Sequence, residues 1–242
     1  MKSIEYYVLS ALVVLITLTV HEYSHGYAAY KLGDPTANSL GRLTLNPIKH
    51  IDPIGAIFML FFHIGWAKPV PINPRYFKKP KRDFAITALA GPLSNLILAY
   101  ISALIFLLFV KLFGDINIQN MFINNLLLYT LLFFQLLHLI NIGIALFNLI
   151  PIPPLDGSRI LNVILPQRLY FGIMKHERKI YLGLVAWIFF GGIASDALLS
   201  LPIASTSPVI TVIAKCLSFS SIMGYAIDFV SNIMLRTLSF LR

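Results

Sequence analysis

Four stretches of this chain, residues 4–30, 84–113, 121–150 and 179–201, are apolar over a length that approaches or meets the roughly 20 residues of helix needed to cross a bilayer core. Backbone in lipid must satisfy its own amides and carbonyls, so runs this long imply helices packed side by side. The composition agrees, with 57% of 242 residues hydrophobic and only 12% charged, far from the soluble average. A fifth stretch, about 209–235, carries Lys215, Asp228 and several serines; spanning, lying in the interface and packing against the rest all stay open for it. Between the first two long segments, Ile51 to Trp66 is apolar but short and broken by Pro53, Gly55 and Gly65, with Pro69, Pro71 and Pro74 following. It is expected to enter the membrane without crossing and to line a cleft, where irregular backbone can be satisfied. The expected fold class is an all-α multi-pass membrane protein with about 4–6 membrane helices and a short re-entrant or β-hairpin-like element between the first and second long helices.

No linker rich in Ser and Gly, no fixed-period repeat and no low-complexity tract divides the sequence. A single membrane-embedded domain over 1–242 is expected, with a motif-bearing core at about 4–165 and C-terminal helices at about 179–242. Residues 1–20 have Lys2 as their one basic flank and no small-residue cleavage pattern, which predicts a retained helix and not a signal peptide. The lone Cys216 excludes an intramolecular disulfide and a Cys-based zinc cluster. The net charge of +9 is explained by position: if the short apolar piece does not cross, residues 31–83 and 151–178 share one side and hold most of the 19 Lys and Arg. By the positive-inside rule that side is cytoplasmic and the N-terminus is outside. The cluster Lys78, Lys79, Lys81 and Arg82 then sets topology and meets lipid headgroups, so nucleic acid is not an expected partner.

The first apolar run leads directly into His21, Glu22, Tyr23, Ser24 and His25. Residues four apart share a helix face, so the two histidines can hold one metal ion while Glu22 lies beside it to take a proton from a water. Ionisable groups cost about 2.5 to 3.5 kcal/mol each within a spanning helix, which makes a functional role the better explanation of this cluster. A catalytic zinc needs a third protein ligand. His50, Asp52, His63, Asp83, His138, Asp156 and His176 are the candidates, ranked by whether they return to the depth of His25. Asp156 suits that depth best, because Pro151, Pro153 and Pro154 end a long helix just before it and Gly157 permits a turn after it. An ordinary Asp turn at a helix end is the competing explanation.

Several ordered motifs resemble the site-2 protease family, the zinc intramembrane metalloproteases. His21 to Gly26 is similar to the family's metal helix, and Gly33 to Ala37 with Gly41 to Pro53 (GRLTLNPIKHIDP) to its following loop. Gly65 to Pro74 (GWAKPVPINP) resembles its sheet-like or re-entrant segment, Ala90 to Asn95 (AGPLSN) its next helix, and Asn148 to Gly157 (NLIPIPPLDG) its second metal-ligand motif. The resemblance implies one zinc ion bound by His21, His25 and Asp156, with Glu22 as general base and acid. It also implies Asn148 as a group that holds the substrate backbone or oxyanion, and Asn95 as a further candidate for that role. The implied activity is hydrolysis of peptide bonds in or near transmembrane segments, in a prokaryotic plasma membrane with the site toward the cytoplasm. The implied partners are a membrane-protein substrate with a spanning segment and the lipid bilayer, with room for a regulatory partner. No peptide-binding insert or nucleotide-sensing domain is found in the sequence, and no motif transfers beyond about residue 165. The alternative is a catalytically inactive or non-hydrolytic metal-binding membrane protein, either a transporter or a chaperone for membrane helices. Glu22 speaks against the inactive relative, and the lack of repeated halves against the transporter. Ser24, between the two histidines, is expected to pack and not to act as a nucleophile.

Overall fold

The computed structural model describes residues 4–52, 55, 67–114, 120–202 and 207–241. Helices carry almost all of that chain: α1 (Ile4–Lys31), the single turn α2 (Thr36–Ser39), α3 (Pro80–Phe113), α4 (Met121–Leu149), α5 (Asp156–Ile164), α6 (Gln167–Met174), α7 (Glu177–Leu199), α8 (Pro208–Leu217) and α9 (Phe219–Thr237). Of these, α1, α3, α4 and α7 are long and apolar enough to cross a membrane. The expected all-α multi-pass architecture is therefore observed. The fifth stretch forms two helices, α8 and α9, bent by 91° at their junction. Ser218 leaves the helical path there, and its hydroxyl caps α9 by accepting from the Ser221 amide at 3.2 Å. The bulk of the expected re-entrant element, at 53–54 and 56–66, lies outside the described residues. On its flanks the described residues hold no strand, only an isolated antiparallel bridge between Ile51 and Ala67.

Lipid has no hydrogen bonds to offer, and several hydroxyl side chains of the long helices are closed off internally. Ser10 donates to the carbonyl of Tyr6, Thr19 to Leu15, Ser24 to Val20 and Ser102 to Leu98, each one turn back at 2.6 to 2.7 Å. Ser24 is thus committed within its own helix, in line with its expected packing role. On α3 the exposed face reads Ile86, Leu89, Leu93 and Ile97, an apolar stripe suited to acyl chains. The opposite face carries small residues, Ala88, Gly91, Ala99 and Ala103, and lets α1 and α4 approach closely.

Away from the site, Val13 on α1 and Leu136 and Leu137 on α4 form the central apolar cluster, with Leu98 of α3 packed against it. His138 lies deeper in the bundle. Its Nδ1 donates to the carbonyl of Ala99 at 2.9 Å, and its Nε2 accepts from Ser231 of α9 at 2.8 Å. One imidazole thus ties α3, α4 and α9 together. Interhelical hydrogen bonds in membranes contribute about 0.6 to 2 kcal/mol. Replacing Ser231 with Ala is expected to lower unfolding stability in detergent by about that amount, measured by denaturant titration, while the zinc content of the folded protein stays constant.

Candidate metal centre

Histidines 21 and 25 are one helical turn apart on α1, and both rings are buried, at 4% and 5% exposure. Asp156 comes from the first turn of α5 and is 7% exposed. Its Oδ2 lies 3.2 Å from His21 Nε2 and 3.1 Å from His25 Nε2, and the two imidazole nitrogens are 3.0 Å apart. Three ligands bonded at 2.0 to 2.1 Å in tetrahedral directions would stand about 3.3 Å from one another, so the observed triangle fits a zinc ion with little adjustment. No other group of three such side chains converges among the described residues. Burial raises the pKa of Asp156, but its hydrogen bonds to His21 and His25 and their charge outweigh that effect. The carboxyl is held well below the usual carboxylate range, in the ionised form that a metal requires.

Two glycines make this convergence sterically possible. At Gly91 on α3, an added methyl carbon would overlap the His25 ring and come within 2.7 Å of His21 Cε1. The imidazoles therefore rest directly on α3 backbone. At Gly157 the added carbon would collide with the carbonyl oxygens of Leu149 and Ile150 at the end of α4. Gly157 was expected to supply a turn, but φ is positive only at Gly33 and Gly41 among the described residues. Its role is close approach: without a side chain at 157, the first turn of α5 seats against α4 and directs Asp156 inward. His25 is oriented further by Nδ1, which donates to the carbonyl of Thr87 at 2.7 Å and leaves Nε2 for the metal.

The remaining candidates are occupied elsewhere. Asp83 caps the start of α3, accepting from the Lys79 amide at 2.9 Å and pairing with Arg82 at 2.7 Å. His50 donates through Nε2 to the loop carbonyl of Thr44 at 2.8 Å, and Asp52 accepts from the Gly55 amide at 2.9 Å. His138 is deep in the bundle, and exposed His176 lies 3.0 Å from the carbonyl of Gly172. His63 lies outside the described residues.

A cleft of about 620 Å³ opens onto the triad. Glu22 and Asn148 line it, whereas Asn95 does not: it is fully buried in the seam behind the histidines. Glu22 has a partner that the sequence did not announce, since its Oε2 accepts from the backbone amide of Val70 at 2.8 Å. Val70 belongs to the extended strap Ala67–Asn73, anchored by Lys68 N to His50 O at 2.9 Å and by Asn73 N to Asp34 Oδ2 at 2.7 Å. The far wall is a stripe on α7, Tyr181, Leu184, Val185 and Ile188, and Arg159 of α5 also lines the cleft. The helical spacing of that stripe was visible in the sequence, but nothing there separated a cleft wall from a lipid-facing surface.

A buried His-His-Asp triangle with a carboxylate beside it, on a membrane-spanning helix, is the arrangement of the family suggested above, and sequence comparison decides the point. The profile of Peptidase family M50 matches residues 9–191. This chain belongs to that family. YwhC of Bacillus subtilis, provisionally named a zinc metalloprotease, is 45% identical over 153 residues, which cover 63% of this chain and 67% of that protein. Zinc metalloprotease MJ0392 of Methanocaldococcus jannaschii is 30% identical over 167 residues, covering 69% of this chain and 37% of the relative. Rip2 of Mycolicibacterium smegmatis, also provisionally named a zinc metalloprotease, is 30% identical over 148 residues, covering 59% and 52%. No solved structure matches the chain. The M50 assignment makes the protein a zinc metalloendopeptidase embedded among membrane helices.

If the glycine contact seats the ligands, Gly91→Ala should reduce zinc affinity by roughly tenfold or more in chelator competition. Gly192→Ala provides the comparison, because an added methyl meets nothing within 4 Å there, and it should leave affinity unchanged.

Proposed function

We propose that this M50 peptidase cleaves peptide bonds in or near the transmembrane segments of other membrane proteins, with zinc held by His21, His25 and Asp156. The observation that carries this proposal is the triad's setting: two ligands and Glu22 belong to spanning helix α1, and the cleft that reaches them is walled by apolar residues of α1 and α7. A soluble peptide would gain little from such walls, whereas an apolar segment arriving from lipid would stay in matched surroundings. Zinc, when bound, supplies the Lewis acidity that polarises a peptide carbonyl and brings the pKa of water to about 7.

The protein's own groups supply the rest. Val70 N–H holds Glu22 Oε2, so the other carboxylate oxygen is the one placed to accept a proton from the attacking water and pass it to the leaving amine. Asn148 donates one amide hydrogen to the carbonyl of Ile144 at 3.0 Å, leaving its second N–H and its carbonyl for a substrate backbone in the cleft. Substrate helices hide their peptide groups in their own hydrogen bonds, so a segment must unwind locally before cleavage. The strap Ala67–Asn73 is suited to receive the unwound strand. Its chemistry is one-sided, because Pro69 and Pro71 have no N–H and those of Lys68, Val70 and Asn73 are engaged, which leaves Ile72 as the one donor at positions 68–73. The strap therefore offers a substrate chiefly carbonyl acceptors.

A prokaryotic plasma membrane with the site toward the cytoplasm is supported by bacterial and archaeal relatives and by the basic residues around the histidine end of α1. The bilayer is the surrounding partner in this proposal, and a regulatory protein remains compatible with it. The deciding experiment compares newly exposed N-termini in membranes of cells carrying wild-type protein or Glu22→Ala at equal expression. Termini inside spanning segments of other proteins should disappear in the variant; an unchanged set, with zinc retained in both, defeats the proposal. With a purified substrate, Glu22→Gln should retain zinc and lose about 10²- to 10⁴-fold in kcat. Val70→Pro, which removes the amide that steadies Glu22, should lower kcat without lowering zinc affinity.

A further inference from the structure

The two metal histidines are not equally supported. His25 has the carbonyl of Thr87 on its far nitrogen, but His21 Nδ1 is buried with no partner. A metal-binding imidazole almost always donates its other N–H to an acceptor, which fixes the ring and raises its basicity. The acceptor should therefore be sought in the helix seam around His21.

Register along that seam is fixed by three contacts. Thr87 of α3 meets His25, Gly91 meets His25 and His21, and Leu98 packs against the cluster around Val13. The two helices run antiparallel, and Asn95 falls at the level of Thr17, one turn below His21. Asn141 of α4 reaches the same level, since its Nδ2 donates to Thr17 Oγ1 at 2.9 Å. Asn95 and Asn141 are both 0% exposed, and each has one unpartnered polar atom: Asn95 Nδ2, a donor, and Asn141 Oδ1, an acceptor. Together with His21 Nδ1–H, the seam thus holds two unmatched donors and one unmatched acceptor at adjoining levels of three packed helices.

We propose that Asn95 and Asn141 are positioning residues for His21, acting through one buried water that accepts from His21 Nδ1–H and Asn95 Nδ2–H and donates to Asn141 Oδ1. A single water satisfies all three atoms, and buried waters typically make about three such bonds. Each of these groups would otherwise be buried without a replacement for the hydrogen bond it makes to water in the unfolded chain. Asn95 then serves the metal from behind and has no contact with substrate. The inference rests on the assignment of His21, His25 and Asp156 as zinc ligands.

Its test is zinc affinity of the full-length protein in detergent, by competition with a fluorescent chelator, for wild type, Asn95→Leu, Asn95→Asp and Asn141→Leu. Thermal unfolding of the zinc-free proteins serves as the measure of folding. Both leucine variants should bind zinc about 10- to 100-fold more weakly. Asn95→Asp should bind at least as tightly as wild type, because the same water can accept from His21 Nδ1–H and donate to both the new carboxylate and Asn141 Oδ1, and the carboxylate adds negative charge near the cation. A role confined to helix packing gives the opposite order, with leucine tolerated in the apolar seam and the buried aspartate most disruptive. That order, or leucine variants within twofold of wild type, overturns the inference. Wild type that fails to bind zinc overturns the ligand assignment as well, so the two failures are distinguishable.

Discussion

The hydrogen bond from His25 Nδ1 to the carbonyl of Thr87 joins the metal helix to its neighbour, and the geometry of the site follows from that junction. It selects the nitrogen that His25 turns toward the metal and fixes the register of α1 against α3. The support extends upstream, since Thr87 Oγ1 donates to the carbonyl of Asp83, whose carboxylate caps the start of α3. An end of helix at the membrane surface and a ligand within the bundle are thereby parts of one chain of bonds. Gly91 completes the contact by letting both imidazoles rest on the helix backbone.

Asp156 reaches the same point from the other direction, and by a different physical device. The α4 helix stops at Leu149, the proline-rich segment turns the chain, and α5 begins at the ligand itself. Because Gly157 lies against the carbonyls at the end of α4, the position of the carboxylate is set by backbone packing and not by a flexible loop. The cleft is assembled from unlike walls: a spanning helix with the reactive groups, an extended strap, and the apolar stripe of α7. The reactive groups therefore occupy the most constrained wall.

Local chemistry was the part of this protein that its sequence displayed openly. The i, i+4 spacing of His21 and His25 needs only a helix to become a ligand pair, and long apolar runs in lipid can hardly become anything else. Asp156 was legible because prolines and a glycine mark an abrupt change of chain direction, although the glycine acts through close approach to α4 and not through an unusual backbone angle. What stayed hidden was carried by groups with no side-chain signature. The Val70 amide that holds Glu22 is present in nearly every residue type, and Asn95 has the same letter whether it faces a cleft or a helix seam. The bend at Ser218 was equally silent, since serine both caps helices and lies quietly within them.

His21 and Asp156 are separated by 135 positions along the chain, yet both belong to one ligand set. At about 5 to 20 residues per second of synthesis, Asp156 leaves the ribosome roughly 7 to 27 seconds after His21. During that interval α1 has already been made, with two imidazoles and a carboxylate on an otherwise apolar helix. Metal capture is consequently a late event in the birth of this protein. The nascent helix must be sheltered, by its neighbours or by the insertion machinery, until its last ligand has been translated.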